Sequence, residues 1–468
     1  MLSGGAIVLS AVLLIQAQVG FEIGGRFETR VGQAPTGFAQ NADGVTVPAE
    51  QGQVLLAATP ALTLRYLSDV DDLRATSLTR TLWRPQPLPH ARPLFLETLE
   101  LSEIGRPTRR TLWRFNLRGS YGEEDYTSLS QQFVSQPTLP AALTVLLVDA
   151  NGEASWRATR RTDLTMQLLG IYRRTIDTQS ALNPSAGTVV SGPVFPTQTT
   201  ISVAPGVRHL LSRRTTIEAS LPVMDSNVEG VSQPSSEIGR LNVLSIQPQV
   251  GVRERLSPSH QLHVAAGLAY AVALRRSEQS QSWPPILPLV QVDLTSYLRR
   301  TRDMQWRSTL GAATAAFTDP VLGVEVLRGM AQARLDADLG IHWGVGALVV
   351  FATDITGPLQ PVGTAGQPAL APDETVLTAE IPFHYRWPNQ FLVELGVRFA
   401  ERAPHLRSPN FAWRSNEREL WLLLSLSTLP QAVRRSSAAV TDASRVNASP
   451  QVKSPPDNPL PPPIPSPL

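Results

Sequence analysis

The chain has 468 residues, no cysteine, 17% charged residues and a formal net charge of +2. The missing cysteines exclude a disulfide framework and any cysteine-ligated metal, and the small net charge gives no ground for a nucleic-acid partner. Charged residues fall below the roughly 25% of a soluble domain, while 31 Gly and 40 Pro argue against long helices.

In chain order, the first feature is an apolar run from Ala6 to Ile15, followed by small and polar residues. It reads as the hydrophobic part of a secretory signal with Ala17 at its cleavage end, although no Lys or Arg precedes it. A signal peptide is therefore expected over residues 1–19. No later segment has ~18 uninterrupted apolar residues, so no transmembrane helix is expected.

From residue 20 to residue 430 one unit recurs: an extended stretch, a polar turn, and a second extended stretch. Examples are LTLRYLSDVDDLRATS, VRHLLSRRTTIEAS and GVRERLSPSHQLHVAAG. This is the signature of an antiparallel hairpin. Strands are expected to centre near Phe27, Leu62, Ser77, Glu97, Phe115, Ala150, Leu168, Val203, Ala219, Gln249, Val264, Asp293, Thr309, Ala333, Val349, Ile381, Val393 and Leu423, eighteen in all. Longer connections rich in Pro, Gly, Ser and Asn are expected over 32–51, 123–140, 177–196, 225–238, 276–287, 353–372 and 401–416. Short and long connections alternate, so the chain should weave up and down with all short turns at one rim.

Within the strands, polarity alternates. Val148, Ala150, Gly152, Ala154 and Trp156 are interleaved with Asp149, Asn151, Glu153, Ser155 and Arg157. Successive strand residues point to opposite faces, so one face is apolar and the other carries charge of both signs. A soluble β-sandwich shares that pattern. Three features favour a membrane barrel instead. The apolar face is built largely of Ala, Val, Gly, Thr and Leu. The aromatics Tyr66, Trp156, Tyr297, Trp306, Tyr385 and Trp387 fall beside short turns, where a girdle at the membrane boundary would put them. The strands often exceed ten residues, and a tilted strand needs ~9–11 to cross the hydrocarbon. Since unpaired backbone groups are costly in lipid, such a sheet must close. The expected fold is all-β: a transmembrane antiparallel up-and-down β-barrel of about 18 strands over residues 20–430. Residues 431–468 contain SPPDNPLPPPIPSPL and are expected to form an extended, disordered periplasmic tail.

The charged face should line the lumen through Arg114, Arg118, Asp149, Glu153, Arg157, Asp293, Arg307, Glu380, His384, Arg386, Glu394 and Arg398. Arg26, Arg30, Arg65, Arg208, Arg253, Arg334, Glu22, Glu28, Glu218 and Asp336 fall in the same phase. Opposite charges on facing strands can pair and stiffen the wall, or present exchangeable contacts to polar cargo. There is no Gly-x-Ser-x-Gly elbow, no His-Glu-x-x-His and no Gly-rich phosphate loop with a lysine. No catalytic, cofactor-binding or metal residue is assigned, and an enzyme is not expected. His384 is read as a satisfied polar side chain.

The stretch ATPALTLRYLSDVDDLRATSLTRTLWRP, followed by RPLFLETLELS and GSYGEEDYTSL, resembles barrel proteins common in myxobacteria. Among these the chain looks like the eighteen-stranded outer-membrane barrels of Wzx/Wzy-type polysaccharide pathways. That resemblance implies residence in a Gram-negative outer membrane and a translocon exporting polysaccharide, with a periplasmic export protein as partner. A general or solute-selective uptake porin, taking small polar solutes, is the alternative on the same wall. A structural or adhesive barrel acting through its extracellular loops is another. Besides cargo, outer-membrane lipid is the expected partner.

Overall fold

The computed structural model describes residues 18–40, 46–68, 70–83, 93–125, 142–176, 178–183, 188–193, 197–231, 239–275, 286–301, 304–318, 325–340, 342–355, 374–387, 391–404 and 417–428. The regular elements among them are all strands. Those of the wall are β1 (Gln18–Gln40), β2 (Thr46–Leu67), β3 (Asp71–Trp83), β4 (Leu94–Thr108), β5 (Thr111–Asp125), β6 (Ala142–Arg157), β7 (Thr162–Thr175) and β8 (Thr197–Leu210). They continue with β9 (Thr215–Ser220 and Val223–Val231), β10 (Gly239–Ile246 and Gln249–Ser257), β11 (His260–Arg275), β12 (Ile286–Thr301), β13 (Met304–Thr318) and β14 (Glu325–Leu339). β15 (Trp343–Asp354), β16 (Glu374–Arg386), β17 (Leu392–Pro404) and β18 (Glu417–Ser427) complete the wall.

β9 and β10 are each broken at a proline, Pro222 and Pro248. Proline has no N–H to give the ladder. Neighbours bridge the gap instead: Leu221 N donates to the Pro205 carbonyl at 2.9 Å, Gln247 N to Pro222 at 2.8 Å and Leu268 N to Pro248 at 3.1 Å. With the broken strands counted once, the twenty ladder segments are eighteen strands. Each pairs antiparallel with its sequence neighbours, and β1 closes the ring on β18. All eighteen expected strand centres fall inside these eighteen strands.

Side chains sort cleanly between the two faces. On β1, Ile23, Phe27 and Val31 are exposed while Glu28 is buried; on β18, Leu420, Leu422, Leu424 and Leu426 are exposed while Glu419, Trp421, Ser425 and Ser427 are buried. In a closed wall the shielded side is the inside. The outside is a belt of exposed Leu, Val, Ile and Phe, which is stable only against lipid. The protein is thus a membrane-spanning barrel of the outer-membrane kind.

Aromatic side chains mark both edges of that belt. Tyr66, Trp113, Trp156, Trp306, Trp343, Tyr385 and Trp387 share the outer phase near the short-turn rim. Trp343 and Tyr385 pack with their rings tilted by 52° at 4.3 Å between centroids, and Tyr385 meets Trp387 edge-on at 5.9 Å. Tyr121, Tyr172 and Phe351 lie eight residues along the strand from Trp113, Leu164 and Trp343. At ~3.4 Å per residue that is ~27 Å along a strand, or ~20 Å of height at a tilt of ~40°, near the ~25 Å apolar band of such barrels.

Three sequence expectations need correction. Tyr297 is not in the girdle. It sits opposite Arg307 and shares the phase of Asp293, so it faces inward. The segment 32–51 is not a connection: β1 and β2 stay paired from Gln18 with Leu67 out to Gln40 with Thr46. Residues 225–231, expected in a connection, continue β9. Within the 177–196 connection a small separate hairpin pairs Thr178–Asn183 with Thr188–Pro193. The expected tail and leader lie outside the described residues, except that Gln18 and Val19 begin β1.

Candidate functional site: the inner wall

The inner face is assembled by register. Directly opposed residues of an antiparallel pair share a face. β5 thereby sets Arg118 against Glu100 of β4 and Asp149 of β6, and Arg114 against Glu153 of β6. Asn116 Nδ2 donates to Glu100 Oε1 at 3.3 Å. At the rim Arg157 Nε lies 3.5 Å from Asp163 Oδ1, with the arginine side chain 62% exposed.

Further round the wall, Glu218 is a node. Arg208 Nε donates to its Oε1 at 3.0 Å, and an Arg253 Nη lies 3.3 Å from the same oxygen. His263 bridges two strands away: Nε2 is 3.7 Å from Glu218 Oε2 and Nδ1 is 3.6 Å from Asp293 Oδ2. The ring reaches Glu218 across β10 at Gly251, where a Cβ would stand 3.1 Å from His263 Nε2. A side chain there would crowd the imidazole.

On β12 to β14, Arg307 faces Tyr297 on one side and Asp336 on the other. Its guanidinium carbon lies 5.4 Å over the Tyr297 ring, within cation–π range. Arg334 Nε donates to Asp336 Oδ2 at 2.7 Å. This cluster remains open: Tyr297 is 39% exposed, and the Arg334 and Asp336 side chains are 35% and 44% exposed.

The sector around the β1–β18 seam is closed. Glu28 bonds Arg30 and lies 3.1 Å from an Arg26 Nη, which also approaches Glu394 at 3.8 Å. Glu394 and Arg398 are each only 6% exposed. Beside them Leu55, Ala57, Leu82, Trp421 and Leu423 form an apolar cluster on the inner face.

The structure therefore places Arg114, Arg118, Asp149, Glu153, Arg157, Asp293, Arg307, Glu380, His384, Arg386, Glu394 and Arg398 on the inward phase. They do not form one lining. Glu394 and Arg398 are packed into the seam, whereas Arg307 stands in the open cluster with Tyr297. Sequence reading missed the seam cluster, because Trp421 and Leu55 look like any strand residues until the ends of the chain are brought together.

No family model and no curated protein matches the chain. Its backbone is similar to several solved barrels. Against the FrpB iron transporter of Neisseria meningitidis the TM-score is 0.47 at 7% identity, covering 83% of this chain and 64% of that one. Against the ferric enterobactin receptor PfeA of Pseudomonas aeruginosa it is 0.46 at 8% identity, covering 87% and 81%. For Pseudomonas aeruginosa OpdQ it is 0.37 at 11% identity, covering 87% and 97%. The chain spans under two thirds of the length of the first of these.

Proposed function

We propose that this barrel is a passive, solute-selective uptake channel for small polar compounds. One observation carries the reading. Within a wall whose seam side is packed, the inner cluster of Tyr297, Arg307, Arg334 and Asp336 stays accessible and presents donors, acceptors and an aromatic face together. Such a surface offers weak, exchangeable contacts, which let a solute enter and leave.

Reconstitution into planar bilayers tests this. The wild-type barrel is expected to conduct, and Asp336→Asn to shift the reversal potential in a salt gradient toward anions by roughly twofold in permeability ratio. A barrel that stays silent in bilayers sinks the proposal. Polysaccharide export rests on the sequence resemblance and draws on none of these residues. A deletion strain is expected to keep its surface polysaccharide. Loss of surface polymer with accumulation in the periplasm would replace uptake with export.

A further inference from the structure

Three consecutive short turns repeat one four-residue pattern: Thr108-Arg109-Arg110-Thr111, Thr159-Arg160-Arg161-Thr162 and Ser212-Arg213-Arg214-Thr215. In each, the leading hydroxyl accepts the backbone N–H of the second arginine, at 3.2, 3.2 and 3.0 Å. In the first and third, that hydroxyl also meets the closing threonine hydroxyl at 2.9 Å. Turn chemistry thus asks for Ser or Thr at the leading position and leaves the two tip positions free. The β2–β3 turn shows this freedom. Ser68 caps it in the same way, with Val70 N donating to Ser68 Oγ at 3.4 Å and Asp71 N at 2.9 Å, but the two residues that follow Ser68 in the sequence are Asp and Val rather than a pair of arginines. The paired arginines are therefore not required by the backbone. All six are exposed.

Their height on the barrel is informative. Trp113 lies two residues beyond Thr111 and Trp156 three before Thr159, both on the outer face. Indoles settle at the membrane–water boundary, so the tips stand just outside it, where lipid headgroups lie. Leu211 and Leu256, 57% and 53% exposed, sit at the same rim. Guanidinium groups match phosphate oxygens in bidentate geometry, and basic residues at a membrane surface attract anionic lipid.

We propose that Arg109, Arg110, Arg160, Arg161, Arg213 and Arg214 bind the phosphates of anionic phospholipids in the leaflet at the short-turn rim. One pair per tip, repeated on separate hairpins from β4 to β9, suits several copies of a small anionic headgroup better than one folded acidic partner. The indoles and exposed leucines alongside suit its acyl chains. This inference is independent of what passes through the wall.

The experiment uses the full barrel purified from mixed micelles of phosphatidylglycerol and phosphatidylcholine, with retained lipid read by mass spectrometry. The wild type is expected to enrich phosphatidylglycerol. Replacing all six arginines by Gln, with the Ser and Thr caps kept, should lower that enrichment about tenfold or more. Replacing all six by Lys should keep part of it. The heat-dependent gel shift of a closed barrel confirms that each variant is folded. Equal retention of the two lipids by the wild type, or a Gln variant that enriches phosphatidylglycerol as well as the wild type, overturns the proposal. So does loss of an acidic periplasmic protein from the Gln variant with its lipid preference unchanged.

Discussion

Trp421→Ala is expected to lower barrel stability by about 3–5 kcal/mol, the range for truncating a buried aromatic. Trp421 is fully buried and clusters with Leu55, Ala57, Leu82 and Leu423. The cluster joins β18 to β2 and β3, reaching over β1. It can do so because Gly32 stands opposite Trp421, where any Cβ would run into the Leu420 carbonyl oxygen. Large aromatics commonly cover a bare glycine on a neighbouring strand. The location magnifies the effect. β1 and β18 share eight register pairs, Arg26 with Ser427 to Gln33 with Leu420, whereas β1 and β2 pair over nearly their whole lengths. The seam is the shortest ladder touching β1, and side-chain packing must supply what backbone bonds there do not. The measurement is the temperature at which the folded band on an unboiled gel disappears, together with the urea midpoint. A variant as resistant as the wild type would show that closure does not depend on the inner cluster.

The strand count was legible because two local signals agree: polarity alternating with period two, and Ser, Thr, Asn, Gly and Pro bunched between strands. The same signals misled at residues 32–51. Pro35, Gly37, Pro48 and Gly52 look like a loop, yet Pro35 pairs with Glu50 and Pro48 with Phe38. Their hairpin extends past the last β18 partner at Gln33 and past Trp83, the last β3 partner, at Leu56. An edge position needs no N–H from proline, so the ladder tolerates it. Nearness to a turn points Tyr297 to the girdle, but phase decides the face. Counting by twos from Asp293 puts it inside, so the sequence held the answer and the turn rule overrode it. The seam is different. WLLLSLS offers leucines on both faces, and no local pattern says that Trp421 meets Gly32. That contact is non-local and exists only once the ring closes. The candidate lining was likewise legible in direction and illegible in exposure: alternation points Arg307 and Arg398 the same way, but only closure buries one and leaves the other open.

Arg328→Met should cost a similar amount, about 3–5 kcal/mol, and its size measures something the seam variant does not. Arg328 Nε donates to Asp354 Oδ1 at 2.7 Å across the β14–β15 ladder, and each side chain is 2% exposed. Removing the cation leaves a buried carboxylate without the guanidinium 2.7 Å away, and the penalty is the desolvation of Asp354. Replacing both, as Arg328→Met with Asp354→Leu, removes that penalty and is expected to recover most of the loss, because buried pairs exchanged for packed apolar groups are often neutral or better. If water reached this level of the interior, Asp354 would rehydrate and the single change would cost no more than about 1 kcal/mol. The cycle of four proteins, followed by thermal unfolding in detergent, therefore reports whether the inner wall at β14–β15 is dry. A dry wall there keeps any solute off the inner face of β14–β15 at the level of Arg328. A hydrated one would widen the path past Arg328 and make that arginine a contact for anionic cargo.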